Sequence, residues 1–143
     1  MREETQGITD VAHHQQIRVY YEDTDLAGIV YYANYLKFIE RGRSEWVSEF
    51  GIDQRKLRDD AGVVFAVRRI EADYLKPAYF QDDLIVTTTL AKASAARIVL
   101  DQQVLRGNEV LFTSIVTLVC LKTDGSPARV PQTFRDAARQ MAE

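Results

Sequence analysis

The stretch Tyr32-Ala33-Asn34-Tyr35-Leu36-Lys37-Phe38-Ile39-Glu40-Arg41-Gly42-Arg43-Ser44-Glu45-Trp46-Val47-Ser48-Glu49-Phe50 decides the fold. Tyr32, Leu36, Ile39, Arg43, Trp46 and Phe50 recur at steps of three or four, with Tyr35 and Val47 beside them. That spacing lines one face of a helix. Lys37, Glu40, Arg41 and Glu45 occupy much of the remainder. Gly42 inside the pattern weakens a helix by about 1 kcal/mol relative to alanine, and it allows close approach to a neighbouring backbone. Gly51 is a natural stop. The spacing predicts a helix over 32–50.

Outward from this helix the period is two. Before it, Ile17, Val19 and Tyr21 alternate with Gln16, Arg18 and Tyr20, so 16–22 reads as a strand. Residues 1–15, with His13 and His14, read as a loose polar lead-in. Neighbouring histidines on an extended chain point opposite ways, and no ligand cluster accompanies them, so no metal site is expected. After the helix, 52–61 reads as a turn or helical linker. Val63, Phe65 and Val67 then alternate, and Ile70, Ala72 and Tyr74 continue in shifted phase, which predicts a bulge. Pro77 closes that strand. Further strands are expected over 84–90, 95–105 and 110–121. Arg106-Gly107-Asn108 and Asp124-Gly125-Ser126-Pro127 form turns between and after them. The domain is expected over 16–132, with 133–143 a tail anchored by Phe134. One long helix cannot cover two faces of a sheet, whereas a sheet wrapped around it buries both. The exposed sheet face then calls for a homo-oligomer.

A chain of 143 residues fits one domain, and 46% hydrophobic with 27% charged residues excludes a disordered or fibrous class. The net charge of −3 argues against general nucleic-acid binding. The single cysteine, Cys120, cannot form an internal disulfide and reads as a small buried hydrophobe. No apolar run approaches a membrane span or a secretion signal, so a cytoplasmic setting is expected. Tyr20, Tyr21, Tyr31, Tyr32 and Tyr35 crowd one short stretch. They suit either packing at a core edge or subunit interface, or the flat walls of a ligand pocket.

Between the first strand and the helix lies Glu22-Asp23-Thr24-Asp25-Leu26-Ala27-Gly28, a loop with three carboxylates. Alone, such a loop reads as a solvated turn. The longer run from Arg18 to Trp46 resembles the acyl-CoA thioesterases of the hotdog fold. It is similar in particular to the 4-hydroxybenzoyl-CoA thioesterase-like group, which includes bacterial thioesterases encoded beside the Tol-Pal envelope system. Asp73-Tyr74-Leu75-Lys76-Pro77-Ala78 also resembles that group, and the likeness extends over about residues 15–132.

The resemblance implies an α+β hotdog fold: an antiparallel sheet wrapped around one long central helix, associated into dimers and tetramers with sites at subunit interfaces. It implies that Asp25 is the catalytic carboxylate. It also implies that Tyr32 opens the helix, with its backbone N–H polarising the thioester carbonyl. Asp23, Gly28 and Asn34 are accessory candidates: Asp23 to position the loop, Gly28 to turn the chain or leave room, Asn34 to cap or fix the loop. The chemistry is consistent with those roles. A carboxylate can attack a thioester directly or activate a water, and free N–H groups at a helix start can receive the developing oxyanion. Relatives of the Tol-Pal-associated type often carry histidine where this chain has Tyr32. A backbone role survives that change and a histidine side-chain role does not. No cofactor and no metal is called for.

Coenzyme A brings phosphates, for which Arg68, Lys92, Arg97, Lys122 and Arg129 are candidates, with Arg106 behind them. Thr88, Thr89 and Ser94 offer hydroxyls. An acyl carrier protein is a second thioester donor to consider. The alternative function is a non-catalytic acyl-CoA or acyl-carrier-protein binding protein. Dehydration chemistry on this fold uses a histidine, and His13 and His14, the only two, lie outside the core pattern.

Overall fold

Val86 on one strand and Gln102 on the next face the same side of a sheet, and the helix carrying Ile39 and Gly42 crosses directly over them. In this computed structural model, which describes residues 12–49 and 51–142, the elements run β1 (His13–Arg18), a 3₁₀ turn (Tyr21–Asp23), α1 (Asn34–Ser48), a short turn α2 (Gln54–Lys56) continued through Leu57–Ala61, then β2 (Val63–Tyr74), β3 (Asp83–Ala93), β4 (Ile98–Arg106), β5 (Glu109–Lys122), β6 (Pro127–Ala128) and α3 (Gln132–Ala142). The strands pair antiparallel in the order β1-β3-β4-β5-β2, with β6 beside β5. The sheet is open, and α1 lies against β1, β3 and β4. The architecture is the one expected: an antiparallel sheet wrapped around one long helix.

The core is apolar and continuous. Ile39, Val86, Ile98, Leu100, Val104, Phe112 and Val116 are fully buried between α1 and the sheet. Each such side chain contributes about 1.5–3 kcal/mol of transfer free energy. Gln102 lies among them, also fully buried. Its Nε2 donates to the Ile39 carbonyl at 2.9 Å and to Thr88 Oγ1 at 2.8 Å, and its Oε1 accepts from Arg43 Nη1 at 3.3 Å. A buried amide is tolerated because it is paired. Burial holds the Arg43 guanidinium below its usual pKa range, against the opposing pull of Glu40.

Several sequence expectations are corrected. His13 and His14 belong to β1, paired with Thr88 and Thr87, and the strand ends at Arg18 rather than continuing to 22. The chain leaves the sheet there because Asp23 Oδ2 accepts from the Tyr20 N–H at 2.8 Å and bends the backbone into the 3₁₀ turn. The helix spans Asn34–Ser48, shorter than 32–50, and Phe50 lies outside the described residues. Its buried stripe is Tyr35, Phe38, Ile39, Gly42, Trp46 and Val47, whereas Leu36 is exposed. The face is therefore rotated toward Gly42. A β-carbon on Gly42 would lie 2.5 Å from Val86 Cγ1, so the missing side chain sets the line of closest approach.

β4 begins at Ile98, and Ala95 to Arg97 form the preceding turn. The C-terminal residues expected as a short tail anchored by Phe134 form a helix, α3. Phe134 packs its ring against Trp46 (5.8 Å) and Phe65 (5.0 Å), and burial of that amphipathic face is what makes a short helix form. The bulge lies where the phase shift predicted it, between Val67 and Arg69.

Candidate active site

The chain between β1 and α1 is held by backbone bonds more than by side chains. Asp25 N–H donates to the Ile29 carbonyl and Gly28 N–H to the Asp25 carbonyl, both at 2.9 Å. Asp25 Oδ1 accepts from the Ala27 N–H at 2.9 Å. Gly28 turns the loop at φ +83°, and a β-carbon there would meet nothing within 4 Å. The glycine is thus required by conformation rather than by space. Thr24 bridges to Val30 and Ile29 to Tyr79, which ties the loop both to itself and to the segment following β2.

Asp23 and Asn34 fasten this loop to the helix. The Asp23 carbonyl accepts from the Tyr31 N–H at 2.9 Å and from Asn34 Nδ2, also at 2.9 Å. Asn34 begins α1, with Ala33 as a cap residue that has no side-chain cap bond. The Asn34 N–H goes to the Tyr31 carbonyl at 2.8 Å. Neither the Tyr32 nor the Ala33 N–H donates to an acceptor among the described residues. The positive end of the α1 dipole therefore carries free donors. Tyr32 itself sits one residue before the cap instead of opening the helix.

A cavity of about 310 Å³ is lined by Ile29, Val30, Tyr32, Tyr35, Tyr74, Leu75, Lys76 and Pro77. Its walls are mostly aromatic and aliphatic. Tyr35 stacks on Phe112 (5.1 Å) and meets Tyr74 edge-on (5.5 Å). The Tyr35 hydroxyl accepts from the Ala78 N–H at 3.1 Å, and the Ala78 carbonyl accepts from Val30 N–H at 2.9 Å. Burial pushes the Tyr35 and Tyr74 phenols above their ordinary range. Arg106 braces this corner. It donates to the Pro77 carbonyl (3.2 Å), Asp82 (2.8 Å) and Glu109 (2.8 Å), and lies 5.7 Å from the Tyr79 ring centre.

The structure thus brings Tyr32 to the cavity and anchors Asp23, Gly28 and Asn34 around the loop leading to it. Asp25 is exposed on that loop and is not itself a lining residue. The sequence marks Tyr35 only as one of the clustered tyrosines and Arg106 only as a candidate for CoA phosphates, and it does not mark Tyr74 as a site residue. The Asp73–Ala78 likeness was the signal that pointed to Tyr74.

The basic candidates divide. Arg68 and Arg129 line one groove of about 430 Å³ on the sheet, together with Ala95, Ala96, Val119, Leu121 and Pro127. Lys92, Arg97 and Lys122 line neither this groove nor the aromatic cavity and are exposed. Arg106 is committed to its ion pairs. Thr88 is fully buried against Gln102, and Ser94 Oγ accepts from the Ala96 and Arg97 N–H groups, so these two hydroxyls are already used structurally. His13 Nε2 lies 3.1 Å from Glu49 Oε2.

A family model described as the thioesterase-like superfamily matches residues 19–138. An acyl-CoA thioesterase YbgC from Haemophilus influenzae is 35% identical over 105 residues, which are 73% of this chain and 77% of that protein. An acyl-CoA thioesterase YbgC from Helicobacter pylori is 33% identical over 129 residues, 83% of this chain and 94% of that protein. Among solved structures, a probable thioesterase from Bartonella henselae superposes with a TM-score of 0.80 at 35% identity, covering 84% of this chain and 99% of that one.

Proposed function

This chain belongs to the thioesterase-like superfamily, and we propose that it hydrolyses acyl-CoA thioesters with Asp25 as the reacting carboxylate and the Tyr32 backbone N–H as oxyanion donor. The general activity, acyl-CoA thioester hydrolysis, follows from membership and from the YbgC relatives, which are acyl-CoA thioesterases. The residue roles rest on one observation above all: Tyr32 lines an apolar cavity just ahead of a helix start, and its N–H has no acceptor among the described residues. A donor left open beside such a cavity suits a thioester oxygen as it gains charge.

The reaction divides into two routes at Asp25. As nucleophile, its carboxylate attacks the thioester carbon and the CoA thiolate leaves. A mixed anhydride remains, which water then hydrolyses. As general base, it takes a proton from a water that attacks the same carbon. In both routes the thioester oxygen lies on the Tyr32 N–H. In single-turnover hydrolysis in H₂¹⁸O, label appearing in the Asp25 side chain identifies the nucleophile route with water attacking the aspartyl carbonyl of the anhydride, since a general base acquires none.

The groove between Arg68 and Arg129 is proposed to receive CoA phosphates. Neither arginine forms an ion pair among the described residues, and Val119 and Leu121 supply an apolar floor. An acyl carrier protein remains the second donor in this reading. A second copy of the chain is proposed to cover the aromatic end. Leu26 is 104% exposed, and Tyr20, Tyr21, Tyr31, Tyr32, Tyr79 and Phe80 are exposed as well. A surface this apolar suits burial against a partner, and β2 is an edge strand whose outer side is open to pairing. No helix among the described residues is long and apolar enough to cross a membrane.

The deciding measurement is thiol release from short, long and aromatic acyl-CoAs by wild type and Asp25→Asn. Turnover by wild type with a loss of about 100-fold or more in the variant is expected, since acid–base groups alone supply on the order of 10²–10⁴. Full activity in a folded Asp25→Asn protein would falsify the assignment. Binding of acyl-CoA by wild type without release of thiol would favour the non-catalytic reading instead.

A further inference from the structure

We infer that Tyr74 is a positioning residue for thioester hydrolysis, holding residue 32 so that its N–H meets the reacting oxygen in one orientation. The inference rests on the reading of Tyr32 as oxyanion donor.

Tyr74 is the last residue of β2. Its hydroxyl donates to the Tyr32 carbonyl at 3.1 Å, and its ring meets the Tyr32 ring edge-on at 6.1 Å. The grip is therefore double, on backbone and on side chain. Tyr74 is 47% exposed, and its inner side is braced. Its ring lies 5.0 Å from that of the fully buried Phe112, its partner across the strands. The next two N–H groups, of Leu75 and Lys76, both donate to the Leu111 carbonyl, at 2.8 and 3.1 Å.

Tyr32 needs such a hold. It is 61% exposed and lies before the first residue of α1. The peptide that carries its N–H is tied through the Tyr31 carbonyl to Asn34. The peptide that follows it has only a 3.4 Å bond from the Tyr35 N–H, apart from Tyr74. With both flanking peptides fixed, φ and ψ of residue 32 are fixed, and so is the direction of the donor. Preorganisation of this kind is what makes an oxyanion donor effective, because no reorientation is needed as charge develops. Burial raises the Tyr74 phenol above its ordinary range, so the hydroxyl keeps its proton and remains a donor at neutral pH.

Tyr74 also lines the cavity, so it could instead serve only as a wall for the acyl group. The two roles separate in kinetics. Tyr74→Phe keeps the ring and removes the hydroxyl. If the hydroxyl positions residue 32, kcat falls about 3- to 10-fold, the range expected for one neutral hydrogen bond. KM stays within about twofold and the melting temperature is retained. A loss confined to KM, or no loss at all, overturns the inference. The contact is read independently by the Tyr32 carbonyl ¹³C resonance, which moves when a hydrogen bond to that oxygen is removed. An unmoved resonance in Tyr74→Phe also overturns it. A wild-type protein that releases no thiol from any acyl-CoA sinks the hydrolase reading and the positioning role with it. Wild-type turnover, lost in Asp25→Asn but unchanged in Tyr74→Phe, sinks the positioning role alone.

Discussion

The Asn34 side-chain amide donates to the Asp23 carbonyl at 2.9 Å. The first residue of α1 thereby holds the turn that sits two residues ahead of Asp25. The same carbonyl accepts from Tyr31 N–H, so loop and helix start move as one body. Asn34→Asp replaces the donor with a carboxylate facing a carbonyl. Removing a part-buried hydrogen bond costs about 0.5–1.5 kcal/mol, and an unpaired acceptor adds to that. The expected result is a melting temperature lower by several degrees and a fall in kcat larger than that of Asn34→Ala. Equal kcat in wild type and both variants would show that the tie has no bearing on the chemistry.

Gly28 is predicted to tolerate asparagine better than alanine. Its φ of +83° is unfavourable for side-chain-bearing residues, and no neighbour obstructs a β-carbon. The cost of alanine is therefore conformational, about 1–2 kcal/mol, and asparagine visits this region more readily. Because Gly28 N–H closes the turn on the Asp25 carbonyl, kcat should fall in the order glycine, asparagine, alanine. Thermal melts and thiol-release rates on the three proteins check that order.

Gly42→Ala sets two effects against each other. Alanine gains about 1 kcal/mol of helix propensity. The new β-carbon would lie 2.5 Å from Val86 Cγ1, on a fully buried residue of β3, a strand paired on both sides. Overpacking costs about 1–3 kcal/mol, so the clash wins and the variant should unfold at lower denaturant. The double change Gly42→Ala with Val86→Ala should recover part of the loss. Should Gly42→Ala alone prove more stable than wild type, the close approach is not what orients α1.

Burial pushes the Cys120 thiol up to about 11, from an ordinary value of 9.0. The folded state thus favours the protonated form. Its contribution to stability is complete below pH 9 and is lost as pH rises toward 11. The size is on the order of 2 kcal/mol. Denaturant midpoints measured from pH 8 to pH 11 should fall, and Cys120→Ala should flatten the slope. A native protein that titrates rapidly with a disulfide reagent at pH 8 would contradict the burial. The same burial keeps this thiol silent in a thiol-release assay.

Much of the fold was legible because periodicity is a local property. The strand–helix–four-strand order, the bulge before Ile70 and the turn at Gly107 all follow from alternation and its interruptions. The strand carrying Ile98, Leu100 and Gln102 follows in the same way. What stayed hidden depended on distant partners. The buried face of α1 is fixed by Val86, more than forty residues away, and the C-terminal helix by Phe134 meeting Trp46 and Phe65. At the site, Asp23, Gly28 and Asn34 could be picked out because turn chemistry is local. The Asp73–Ala78 likeness pointed to Tyr74 and charge pointed to Arg106, but their contacts with Tyr32 and Pro77 lie across the chain and have no local signature.

Phe134 on α3 packs its ring edge-on against Trp46, and Trp46 is the only tryptophan in the chain. The protein therefore carries its own optical gauge. Intrinsic tryptophan emission reports on a single place, the seam between the C-terminal helix and the central one. A red shift without loss of strand signal would register that helix lifting away while the sheet stays intact, and would time the step relative to global unfolding without any label.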